Sequence, residues 1–329
     1  MTSESRLLRV GFFIAALAAA GPAAAAENAL SWYLLGLRGP GAAVAPPVEG
    51  VFLQNDLYRY MGAVRREVSL PYGTSIGAGI GANATANMLT ALWMTPARVL
   101  DGRLGLSLTQ PYGGPTLTAS ATVVPPFGAR MPLTVGARDS ASFFGDPVVS
   151  GFLAWQSGNW NVQAGTSVNV PIGQYDAAGF ANMSFHRWAV DPFLAVTWLD
   201  PATGIDVSAT VGYTFNGTNT ATSYRTGNEF HLEASVSKAL TKELSVGVLG
   251  YYYEQTTGDS GAGATFGAFR GRVAALGGTV GYGFSVNGIP IQTRIKLFRE
   301  FEARNRLENG TAAFLTVSMP VWVPNPPKP

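Results

Sequence analysis

Two histidines, His186 and His231, occur in the 329 residues, and there is no cysteine. A cysteine nucleophile, a disulfide staple and a thiolate metal site are therefore excluded, and neither histidine stands in an HExxH-like spacing. The one set with the parts of a hydrolase is His231, Glu233 and Ser235, within HLEAS. A base, a group that orients it and a nucleophile are what covalent catalysis needs. On an extended chain, however, residues at i, i+2 and i+4 point the same way side by side and do not converge. They read better as hydrogen-bonding groups on one polar face. No catalytic residue, metal site or cofactor is expected. The glycine clusters at 77–81 and 261–263 lack the strand-then-helix setting of a phosphate loop and read as flexible loops or strand bends.

The elements that must carry these side chains have a period of two. From Ile205 the chain reads IDVSATVGYTFN, with Ile205, Val207, Ala209, Val211, Tyr213 and Phe215 alternating against Asp206, Ser208, Thr210, Gly212, Thr214 and Asn216. The stretches from Trp160 and Ile289 alternate in the same way. Only strands send alternate side chains to opposite faces. Twelve are expected, near 51–61, 80–95, 101–111, 146–157, 160–171, 187–199, 205–216, 228–239, 243–255, 270–284, 289–300 and 311–322. Such lengths suit a tilted membrane strand of about 9–11 residues better than a globular strand of about 5–6.

Connections alternate too. They are short at 157–159, 200–204, 239–242 and 286–288, where Asn287-Gly288 is a hairpin signal, and longer at 173–186, 217–228, 256–269 and 301–310. Residues 112–145 read as one long external loop, although 117–124 has strand character. Trp93, Trp155, Trp160, Trp198, Phe284 and Trp322 fall beside the short turns, whereas Trp188, Phe230, Tyr252 and Phe298 fall toward the other end, as aromatic girdles do. The expected fold is all-β: a transmembrane antiparallel β-barrel of about 12 strands, with short periplasmic turns, longer external loops and both termini periplasmic.

Composition agrees. Charged residues are 13%, about half the usual share of roughly 25%, and Gly is 40 of 329. A net charge of +2 is too balanced for a nucleic-acid surface. Arg6 and Arg9, the apolar run 10–20, the Gly21-Pro22 break and small residues before Glu27 form a secretory signal peptide over 1–26, its apolar run too short to span a membrane. The expected organisation is then an N-terminal segment 27–50, a barrel 51–322 and a tail 323–329.

Alternation turns Arg103, Asp191, Asp206, His231, Glu233, Arg294 and Lys296 into the lumen. Their near-balance of sign implies paired networks, where an ion-selective pore would carry a ring of one sign. Twelve strands enclose a narrow lumen, and residues 27–50, with Trp32, Tyr33, Leu34 and Leu35, either fold back into it as a plug or form a disordered periplasmic lead.

Several blocks are more specific: SWYLLGLRGPGA (31–42), FFGDPVVSGFLAWQSGNW (143–160), HRWAVDPFLAVTWLDPATG (186–204), TFNGTNTATSYRTGNEFHLE (214–233), TGDSGAGA (257–264) and AALGGTVGYGF (274–284). Together they resemble the exported family named for the meta-cleavage pathway of phenol degradation. The resemblance implies an outer-membrane transporter or channel for hydrophobic compounds and carries no ligand residues with it. The expectation is a monomeric barrel embedded among lipid and lipopolysaccharide that passes small hydrophobic or aromatic solutes and touches no nucleic acid. Candidate capture residues are Phe143, Phe144, Phe180, Tyr224, Tyr251, Tyr253 and Phe266. The rivals are a structural or partner-binding barrel without solute flux, and a barrel lipid hydrolase or acyltransferase working through His231.

Overall fold

The computed structural model describes Glu27 and residues 31–69, 75–124, 133–179, 181–265 and 267–324. Residues 1–26, expected to be a signal peptide, and the last five residues of the tail lie outside the described residues. Sixteen strands follow in order: β1 (Gly50–Ser69), β2 (Ser75–Val99), β3 (Gly102–Val124), β4 (Leu133–Ser140), β5 (Phe143–Phe144), β6 (Val148–Ser157), β7 (Trp160–Asn169), β8 (Ala189–Asp200), β9 (Ile205–Asn216), β10 (Thr218–Asn219), β11 (Tyr224–Arg225), β12 (Glu229–Ala239), β13 (Leu244–Gln255), β14 (Arg272–Val286), β15 (Ile289–Arg304) and β16 (Glu308–Trp322). Twelve of them, β1–β3, β6–β9 and β12–β16, form a closed antiparallel barrel, sealed where β1 pairs with β16.

Each strand expected from the alternation coincides with one of these twelve, but the first three are longer. β1, β2 and β3 run 20, 25 and 23 residues, because their Gly-, Ala- and Thr-rich outer halves keep pairing with only weak alternation to show it. The reading of 112–145 as one external loop is corrected accordingly. β3 continues to Val124, its lower half pairing with β6 and its upper half with β4 and β5. The glycines at 77–81 sit inside β2, and the connection expected at 301–310 shrinks to the tight turn between Arg304 and Glu308.

Side-chain burial is inverted relative to a soluble protein. On β12, His231, Glu233, Ser235 and Ser237 are buried while Leu232 and Val236 are exposed. On β9, Asp206, Ser208, Thr210 and Thr214 are buried while Val207 and Phe215 are exposed. Apolar residues also form continuous outer rows: Val280, Ile295, Leu315 and Leu57 are successive cross-strand partners, each between 42% and 49% exposed. Such a surface needs lipid around it. The girdle holds at the short-turn end, where Trp93, Trp160, Phe284 and Trp322 are all exposed. At the other end Phe298 is a correction. It faces inward, buried against Tyr251 and Phe314.

Replacing Ile295 by Arg puts a charge into the lipid-facing row and is expected to cost about 2–4 kcal/mol. Urea unfolding of the refolded barrel in lipid checks this by a lowered midpoint.

Candidate functional site

Residues 31–49 run inside the barrel. A lumen segment has backbone polar groups and no strand edge to pair with, so side chains of the wall must satisfy them. Glu233 accepts the N–H of Gly36 at 3.1 Å and of Arg38 at 2.8 Å, one on each carboxylate oxygen. Ser208 Oγ accepts from Gly41 N at 3.1 Å, and Thr197 Oγ1 from Ala43 N at 3.0 Å. Lys296 Nζ donates to the carbonyls of Gly36 and Leu37. Arg103 Nη1 donates to the Pro46 carbonyl at 2.6 Å. Gly36 is obligatory on two counts: its φ is +86°, and a Cβ there would lie 2.7 Å from the Phe298 ring.

Above this ladder, Tyr33 stacks on His231 with ring centroids 3.5 Å apart, and His231 Nε2 is 2.9 Å from Asp191 Oδ2. The His231 ring occupies the space left by the missing side chain of Gly212, where a Cβ would come within 2.4 Å of it. At the far end, Glu27 meets Asn219, Thr222 and Thr226, which belong to the connection between β9 and β12. The segment therefore enters among the long loops and descends to the start of β1. The expectation that both chain ends lie on the short-turn side is corrected for Glu27.

All seven polar residues expected in the lumen contribute there. Asp191, Asp206, His231, Glu233 and Lys296 are buried, and Arg294 lines the cavity. His231 pairs with Asp191, but three others have partners outside the expected charge pairing. Glu233, Lys296 and Arg103 are bound to backbone groups of residues 36–46, and alternation alone gives no sign of a backbone partner from outside the sheet.

The segment lies on the polar wall formed by β8, β9 and β12 and leaves the opposite side open. A cavity of about 1090 Å³ follows the lumen beside it. Leu34, Leu37 and Pro40 bound it on the segment side, and Tyr58, Ala86 and Met88 bound it on β1 and β2. Arg306 and Leu307 stand at its outer end, Phe52 and Pro290 at its inner end.

The five capture aromatics that fall among the described residues do not come together. Tyr251 and Tyr253 are buried lumen residues, their hydroxyls donating to Glu300 at 2.9 Å and Glu229 at 2.8 Å. Phe143 and Phe144 are exposed on β5, where Phe144 packs on Tyr112. Tyr224 donates to Asp259 at 2.7 Å within the loops, and burial beside that carboxylate raises its pKa. Phe180 and Phe266 lie outside the described residues. Among the described residues no three His, Asp or Glu side chains group as a metal site.

The family model described as "Putative MetA-pathway of phenol degradation" matches residues 67–316. The chain belongs to this family. The barrel of this family member is similar to the COG4313 outer membrane channel from Pseudomonas putida F1, with a TM-score of 0.61 at 13% identity over 85% of this chain and 98% of that one. Looser likenesses are the transport unit of the autotransporter AIDA-I from Escherichia coli (TM-score 0.46, 10% identity, 92% and 97% covered) and a Pseudomonas aeruginosa FadL homologue (0.40, 9%, 86% and 92%). At these identities the likeness shows the fold alone, an outer-membrane β-barrel. No curated protein matches the chain.

Replacing Glu233 by Ala strands the buried N–H groups of Gly36 and Arg38, each costing about 1–3 kcal/mol. The segment should then leave the wall while the barrel stays folded. Limited trypsin digestion checks this: cleavage after Arg38 should be rapid in the variant and slow in the parent.

Proposed function

We propose that this barrel is a passive channel of the outer membrane for small hydrophobic or aromatic solutes, and that residues 31–49 line the passage. The supporting observation is the asymmetry of the lumen. Glu233, Ser208 and Thr197 of the β8, β9 and β12 wall bind the segment's backbone, and the open side presents Leu34, Leu37, Tyr58, Ala86 and Met88 beside Gln54, Asp56 and Thr90. The plug expectation changes in kind: the segment narrows the lumen and gives it an apolar face.

The cavity of about 1090 Å³ is at the upper end of the range of about 300–1,000 Å³ for small-molecule sites, ample for single-ring compounds. Along its apolar face a charged solute would lose hydration without replacement. The description of the family supports aromatic solutes. Closure by β1 and β16 seals the barrel wall, which suits a monomer. An enzyme reading through His231 is disfavoured by its setting, since the ring is fully buried, bonded to Asp191 and covered by Tyr33.

The test is uptake of labelled toluene at low concentration by an outer-membrane-bearing host, with and without the protein. The parent should accelerate toluene and leave benzenesulfonate unaffected. Ala86→Trp fills the cavity and should cut the toluene rate by about tenfold or more, equivalent to about 1.4 kcal/mol on the passage barrier. Equal uptake with and without folded protein would overturn the proposal.

A further inference from the structure

The outer end of the lumen segment is held by a carboxylate in a site whose strongest donors it does not reach. Glu27 Oε1 accepts from Thr222 Oγ1 at 2.7 Å and Asn219 Nδ2 at 3.0 Å, and Oε2 accepts from Asn219 Nδ2 at 3.1 Å. Asn219 is fully buried, and its Nδ2 also donates to the Tyr175 hydroxyl at 2.9 Å. Beside them stands Arg187, with a side chain that is 0% exposed.

The guanidinium of Arg187 is fixed from behind. Its Nε donates to Asn216 Oδ1 at 3.2 Å, and its Cζ lies 5.1 Å from the Phe185 ring centroid. Its forward edge is unsatisfied. Among the described residues Nη1 and Nη2 have no hydrogen-bond partner, and the nearer carboxylate oxygen, Glu27 Oε2, is 3.7 Å from Nη1. Charge-assisted N–H···O bonds close to about 2.7–2.9 Å, and an arginine fork takes a carboxylate through two of them. The other carboxylate acting on Arg187, Glu229, accepts from the Tyr253 hydroxyl at 2.8 Å through Oε1, and no hydrogen bond joins its Oε2 to the guanidinium. A buried fork with its face toward a carboxylate and no bond to it is a costly arrangement to leave unfilled.

We propose that Arg187, Asn219 and Thr222 form a carboxylate-binding site at the external mouth of the barrel. Glu27 occupies it as an internal ligand, and a small carboxylate solute competing for it releases the outer end of the lumen segment. A free carboxylate can approach the Arg187 fork squarely, whereas Glu27, held by Asn219 and Thr222, stands 3.7 Å from it. Phe185, against Arg187, also lines the cavity, so release at this site acts where the passage begins. The inference goes beyond the solute-channel reading and rests only on the seating of the segment.

The absence of cysteine makes the test clean. Ser31→Cys places a single thiol at the outer end of the segment, where Ser31 Oγ bonds the Tyr33 carbonyl and lines the cavity. Labelling by a membrane-impermeant maleimide is followed with sodium benzoate, sodium acetate or benzamide outside. Both carboxylates should raise the labelling rate, benzoate by about tenfold, equivalent to about 1.4 kcal/mol, and neutral benzamide should not. Adding Glu27→Gln should give fast labelling without any solute and no further response to benzoate. Arg187→Gln, if it still folds by heat-modifiable gel migration, should lose the benzoate response. No acceleration by either carboxylate, or equal acceleration by benzamide, overturns the proposal. Failure of toluene uptake would leave this result untouched, because labelling reads the segment and not solute flux.

Discussion

A peptide drawn through a barrel lumen brings backbone N–H groups into a place where every strand edge is already paired. An unpaired buried amide costs about 1–3 kcal/mol, so the wall must supply acceptors at the spacing of the segment. Glu233 does so with both oxygens, on Gly36 and Arg38. Ser208 and Thr197 continue the series to Gly41 and Ala43, and Lys296 binds carbonyls from the other side. The identity of the polar residues on β8, β9, β12 and β15 follows from this need. So does the glycine at 36, the one residue type that fits between Glu233 and the Phe298 ring at that backbone angle.

Once the segment is seated, the lumen has two unlike halves. Its polar half is covered, and its open half shares a wall with a cluster of buried apolar and aromatic residues that includes Leu35, Met88, Tyr251, Phe298 and Phe314. A sheet that alternates polar inside and apolar outside would by itself make a water-filled tube. An added strip of Leu, Pro and Tyr gives the same lumen an apolar face without altering the barrel.

Much of the fold was legible because strand alternation against lipid is strict. The rows through Val207, Val236 and Ile295 read directly, and with them the inward set from Asp191 to Lys296. Legibility faded for physical reasons. The outer halves of β1 to β3 are built from Gly, Ala and Thr, whose two faces differ little, so 117–124 looked like a loop with strand character. The run Tyr251-Tyr252-Tyr253 carries no alternation at all, and two of its members prove to be lumen residues. Near-balance of charge suggested side-chain pairs. His231 and Asp191 do form one, but Glu233, Lys296 and Arg103 bind main-chain groups of a segment with no period of its own, and a sequence pattern does not display which backbone a carboxylate will bind.

The central claim is that residues 31–49 lie against the β8–β9–β12 wall, and cross-linking tests it most directly. Cysteines placed at Ala43 and Thr197, whose backbone N and side-chain oxygen are 3.0 Å apart, should join rapidly under mild oxidation in the membrane-inserted protein. A cysteine at Ala43 paired with one at the lipid-facing Val236 should not. Failure of the first pair in folded barrels, or equal joining of both, would contradict a lumen segment bound to this wall.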